Sequence, residues 1–191
     1  MRVFIAIEAP DHVQDALGQA QTYFRDELVA RGAGRAEARW AHRGGIHLTL
    51  KFLGELPAGQ LNRTVSVLEG CGGFERFVVE VKGFGFFPNV RRPEVFWAGI
   101  DAPTALADLQ HRVDGAMVQL GYALERRRFA PHLTLARFRT PRPQPVLKTL
   151  SAQRQDDPLG SFEVSQFHLF ESRLLAGSPA EYVKLASFPG L

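Results

Sequence analysis

The sequence predicts an α+β fold built from a duplicated half-domain, and three observations carry that reading. Runs with strand-like alternation and runs with helical periodicity follow one another along the whole chain. No composition break or flexible linker divides them. The tetrapeptide His-Leu-Thr-Leu occurs twice, at His47–Leu50 and His132–Leu135, 85 positions apart and each time inside a predicted strand.

Arg2–Glu8 (RVFIAIE) is a β-rich run closed by Ala9-Pro10, and Asp11 is the expected N-cap of a helix reaching about Arg31, ended by Gly32–Gly34. Arg39-Trp40 sits in a short extended piece. Ile46–Leu53 alternates as a strand before a turn at Gly54–Gly59, and a helix over about Gln60–Glu69 runs into Gly70–Gly73. Phe77–Phe87 and Val95–Ile100 read as strands around the turn-rich Pro88–Pro93, and Thr104–Leu120 as an amphipathic helix stopped by Gly121. Ala123–Phe129 and His132–Phe138 are expected to form a strand pair. After a connection at Pro141–Pro145 come a short helix, Val146–Gln153, and a closing hairpin of Phe162–Leu174 with Tyr182–Ser187.

Composition bounds the function. The 191 residues suffice for one large domain or two small lobes sharing a core. With 45% hydrophobic residues and 15 Phe the chain can bury an interior, which excludes intrinsic disorder. Its 19 Arg and 4 Lys leave a net charge of +3, compatible with an anionic ligand, since guanidinium grips phosphate in a two-pronged hydrogen bond. The single Cys71 cannot form an internal disulfide, which fits a reducing compartment, so a cytoplasmic, soluble protein is expected. Val3–Ile7 is too short for a signal peptide, and no window approaches a membrane span. Phosphate-loop, dinucleotide-fold and serine-elbow patterns are missing, which argues against nucleotide-triphosphate hydrolysis, hydride transfer and acyl transfer.

The histidines give the repeat its weight. With 6 His in the chain, two of them followed by the same three residues by accident has odds on the order of half a percent from residue frequencies. In a strand, His47 and Thr49 share one face while Leu48 and Leu50 share the other, and the same holds for His132 and Thr134 against Leu133 and Leu135. Side by side, the two strands bring two imidazoles and two hydroxyls to one cleft. A tetrahedral phosphate suits it: the hydroxyls donate to non-bridging oxygens while one His serves as acid and the other as base. With unperturbed pKa values near 6.5, such a pair can hold one proton between them at neutral pH. A zinc pair is the rival, but no third ligand stands at suitable spacing.

These residues resemble the 2H phosphoesterase superfamily, named for two His-x-Thr motifs, and within it the RNA 2',3'-cyclic phosphodiesterases once called 2'-5' RNA ligases. The likeness extends to Arg2–Ile7, His47–Gly54, Phe96–Gly99, Phe129–Arg137 and Tyr182–Pro189. It implies a bilobal, pseudo-two-fold arrangement over 1–191, a single domain of two similar lobes. Each lobe would be an antiparallel sheet flanked by helices, carrying one motif on a central groove. The implied reaction is metal-independent and cofactor-free opening of a terminal 2',3'-cyclic phosphate to a 2'-phosphomonoester, with His47 as proton donor, His132 as proton acceptor, and reverse 2'-5' ligation as a side activity. The implied partner is RNA with such an end, or a small cyclic nucleotide; no membrane and no obligate protein partner is expected. Two alternatives stay open: a phosphodiesterase of 2'-5' linked oligonucleotides or small cyclic nucleotides, and a non-catalytic RNA-end binding module.

Secondary candidates follow from position. Arg137 follows Leu135 by two residues, so strict alternation puts it opposite His132 and Thr134 unless the strand twists or bulges. Arg128, Arg39 and Lys51 are candidates for tracking RNA phosphates along the groove. Phe52, Phe129 and Trp40 are candidates for stacking a base, with core packing as the competing role.

Overall fold

The computed structural model describes residues 1–33, 38–174 and 180–191. Among these residues nine strands form one antiparallel ladder: β1 (Arg2–Glu8), β2 (Ala38–Trp40), β3 (His47–Glu55), β4 (Phe77–Phe87), β5 (Val95–Asp101), β6 (His132–Phe138), β7 (Pro158–Val164), β8 (Gln166–Arg173) and β9 (Glu181–Pro189). Their order is β7-β4-β5-β6-β3-β1-β8-β9, with β2 paired to β6 as well. The two expected sheets are the halves of this ladder, β3-β1-β8-β9 and β6-β5-β4-β7. Among the described residues they are stitched together by a single register pair, Leu48 with Leu133. Ser165 alone separates β7, at one end of the ladder, from β8, close to the other. The sheet therefore curls until its ends approach.

The helices α1 (Asp11–Ala30), α2 (Leu61–Glu69), α3 (Thr104–Met117) and α4 (Pro145–Gln153) cover one face. The stripe of α1 that turns inward, Val13, Leu17, Ala20, Phe24 and Leu28, recurs at the three-and-four spacing of an amphipathic helix and joins the main core. Gly32, at φ +66°, ends α1 by letting the Ala33 N–H reach the Leu28 carbonyl at 2.9 Å; Gly34 lies outside the described residues. Each half's helix crosses over. The helix after β1 packs on β7 and α4, and the helix after β5 packs on β3 and α2. Val3, Ile5 and Ile7 of β1 join the main core, whereas Phe4 and Ala6 join Phe170 and Tyr182 in a separate cluster on the opposite, groove-side face. Among the described residues no helix is long and apolar enough to cross a membrane.

Three local expectations are corrected. Asp11 is the first helical residue rather than the cap, because Pro10 takes the cap position and the Asp11 carboxylate pairs with Arg43. Ala123–Phe129 forms no strand. The Lys51 ammonium binds the Ala123 carbonyl at 2.9 Å and Asp114 accepts the Glu125 N–H at 3.0 Å, so side chains take the backbone groups a ladder would have used. Phe162–Leu174 is not one strand: it breaks at Ser165, where the chain passes from one half to the other.

Candidate active site

Both motif strands bury their residues in the same order. From His47 the sequence of environments is half-buried, buried, half-buried, buried, buried, exposed, buried; from His132 it is identical. The two adjacent buried positions mark a bulge in each strand. On β1, Ile5 faces Lys51 and Ala6 faces Thr49, leaving Leu50 without a partner; on β5, Phe96 faces Ala136 and Trp97 faces Thr134, leaving Leu135 without one. One extra residue reverses the face of everything after it. Hence Lys51 turns inward and Phe52 outward onto the face of His47 and Thr49, while Ala136 turns inward and Arg137 outward onto the face of His132 and Thr134.

Leu48 and Leu133 pair where the strands touch, so in an antiparallel pair the residues on either side, His47 with Thr134 and Thr49 with His132, come opposite one another. Among the described residues neither Thr hydroxyl has a protein hydrogen-bond partner. His132 Nδ1 lies 2.8 Å from the carbonyl of Ala130, two residues back, which fixes Nδ1 as the protonated nitrogen of the neutral ring and leaves Nε2 for the groove. The backbone of Gly45, also two residues back, bears on the His47 ring and favours its proton.

Aromatic rings wall each imidazole. Phe4 stacks on His47 with centroids 4.6 Å apart and Tyr182 meets it edge-on at 5.1 Å; Phe87 meets His132 edge-on at 4.8 Å. This burial, followed by the Arg137 charge, holds His47 down at a pKa of about 4, against the opposing pull of the Gly45 bond and of the Glu8 carboxylate. His132 is also lowered, first by burial and further by Arg137. Both shifts run toward the neutral ring, against the expectation of one proton shared by the pair. The Arg137 charge bears on both rings.

The remaining candidates separate. Phe52, 63% exposed, stands 6.1 Å from Phe4 on the groove side. Lys51 is buried in an ion pair with Asp114 and does not face the groove. Phe129 and Trp40 pack against the core. Arg39 sits beside Arg137 in the β2–β6 register, and Arg128 is exposed in the irregular segment before β6. Sequence reasoning missed the walls, Phe4, Phe87, Phe170 and Tyr182, and the carboxylate of Glu8. One signal for Glu8 was present: Ile7-Glu8-Ala9-Pro10 is echoed by Ile100-Asp101-Ala102-Pro103, each closing a strand and opening a helix.

Known proteins share this architecture. The family model described as "2'-5' RNA ligase superfamily" matches residues 9–174. A Methanothermobacter thermautotrophicus protein named "RNA 2',3'-cyclic phosphodiesterase" is 32% identical over 180 residues, 94% of each chain. A Thermus thermophilus protein of the same name is 34% identical over 159 residues, 77% of this chain and 74% of that one. The crystal structure of a Thermus thermophilus protein superposes with a TM-score of 0.77 at 27% identity, over 99% of this chain and 97% of the other. That of E. coli LigT complexed with 3'-AMP gives 0.75 at 23% identity over 98% and 97%, a likeness of fold. A matched model spanning both His-x-Thr strands, together with relatives above 30% identity along most of the chain, shows that this protein belongs to the 2'-5' RNA ligase superfamily.

Proposed function

We propose that the chain hydrolyses RNA 2',3'-cyclic phosphate ends to 2'-phosphomonoesters, as one domain whose two lobes close on the phosphorus. The observation that carries this reading is the junction at Leu48 and Leu133, which sets His47, Thr49, His132, Thr134 and Arg137 on one groove. The curated relatives named RNA 2',3'-cyclic phosphodiesterase support the same substrate.

In the reaction, water attacks phosphorus while His132 Nε2 takes its proton; the bond from phosphorus to O3' breaks and His47 returns a proton to that oxygen. The Thr49 and Thr134 hydroxyls and the Arg137 guanidinium hold the non-bridging oxygens as charge grows on them. The donor role of His47 is supported by Glu8, the carboxylate that favours its proton; among the described residues no carboxylate bears on His132 in this way. A bound phosphate anion neutralises Arg137, removing the charge that opposes protonation of either ring. Phe52 offers a ring for the terminal base. No step calls on a metal ion, so saturating chelator leaves turnover intact. Reverse ligation of a cyclic end to a 5'-hydroxyl uses the same groups with the proton flow inverted.

His132→Ala tests the assignment. Turnover falls by about 10² to 10⁴ while end binding survives; unchanged turnover removes the proton-transfer role from His132, and wild-type protein that binds the end without opening it is an RNA-end binding module instead.

A further inference from the structure

Three glutamines are buried in the α1 and α3 stripes where apolar residues belong: Gln14, whose amide reaches the Ile46 carbonyl at 2.8 Å, and Gln21 and Gln110, at 6% and 3% exposure. An uncompensated amide there is costly, so each must be matched to polar partners. Gln21 and Gln110 both donate to the carbonyl of a bulged leucine in the opposite half. Gln21 Nε2 reaches Leu135 O at 2.9 Å and Ala41 O at 2.9 Å, and Gln110 Nε2 reaches Leu50 O at 3.4 Å. Leu135 and Leu50 are the residues that the neighbouring strands β5 and β1 leave unpaired. Leu135 O also accepts the Ala41 N–H at 2.8 Å, so the Gln21 amide ties the bulge to the chain leaving β2. Only the bulge turns Arg137 toward the imidazoles; in a regular strand Ala136 would occupy that face.

We infer that Gln21 is a positioning residue: by clamping the Leu135 bulge from the other half of the molecule, it aims Arg137 at the phosphate, and Gln110 does the same for Phe52 through Leu50. This deepens the proposed phosphodiesterase reading and rests on it for its functional meaning.

The test reads the titration of the imidazoles by NMR in the intact protein, beside turnover of a cyclic-phosphate-ended oligonucleotide. His47 faces Arg137, His132 and Glu8; among charged groups His132 faces Arg137. Arg137→Met is the reference and moves both titrations upward. Gln21→Met moves both in the same direction, lowers kcat/KM at least about tenfold, and adds nothing further in an Arg137→Met background. Gln110→Met, which removes an equally buried amide, leaves His132 at its wild-type titration. Folded Gln21→Met with both titrations unmoved, or Gln110→Met raising His132 as far, overturns the inference. Should Gln21→Met not fold, Gln21→Asn, polar but a methylene too short for Leu135, carries the same two readings. If wild-type protein does not open the cyclic phosphate, the phosphodiesterase reading fails while the titrations still judge the clamp.

Discussion

At the scale of single residues, the histidines show how a site is tuned by what surrounds it. Burial among aromatic rings and the Arg137 charge lower both imidazoles, and a bound phosphate is expected to offset the second of these effects. The profile of kcat/KM reports the free protein and that of kcat the complex, so both profiles are bell-shaped and the kcat optimum lies at higher pH. Coincident optima would show that the bound phosphate leaves the imidazoles untouched. The pair of histidines was legible because the motif repeats letter for letter. The walls were not, since Phe4, Phe87, Phe170 and Tyr182 come from four different strands and only pairing brings them to the rings. Arg137 was visible as a residue but not as a groove residue.

The reason lies at the scale of the element. Alternation predicts side-chain direction only in a regular strand, and neither bulge leaves a signature such as glycine at Leu50 or Leu135. The same irregularity that brings Phe52 out sends Lys51 in, where it meets Asp114, so both charges are more than nine-tenths buried. Asp114→Ala leaves a cation stranded in the interior and costs about 3 to 5 kcal/mol, whereas joint replacement by Lys51→Met and Asp114→Leu recovers most of it. Urea midpoints of the single and double variants check this; a single variant as stable as wild type would mean the lysine escapes to solvent. The strand boundaries at Arg2–Glu8, Phe77–Phe87 and His132–Phe138 were readable from period and turn chemistry. Ala123–Phe129 was misread because a β-like composition lost to the hydrogen bonds of Lys51 and Asp114.

At the scale of the whole molecule, duplication and exchange of helices account for a groove that one half could not build. The two-sheet α+β fold was legible from the alternating runs and the repeated tetrapeptide, but the exchange of helices was not, because nothing local tells α1 to pack on β7 and α3 on β3. With the halves joined in the ladder at Leu48 and Leu133 and across it by helices, they should unfold together. Both tryptophans, Trp40 and Trp97, lie on strands of the β6 half. Their fluorescence and the far-ultraviolet circular dichroism of the whole chain are expected to give one coincident denaturant transition. Two separated transitions would mean that the lobes are independent.

The most direct measurement is identification of the product from an RNA oligonucleotide ending in a 2',3'-cyclic phosphate, incubated with wild-type protein, His47→Ala and His132→Ala. Wild type is expected to give a terminal 2'-phosphate and either variant almost none. A 3'-phosphate, or product undiminished by loss of either imidazole, contradicts the proton-transfer roles of His47 and His132.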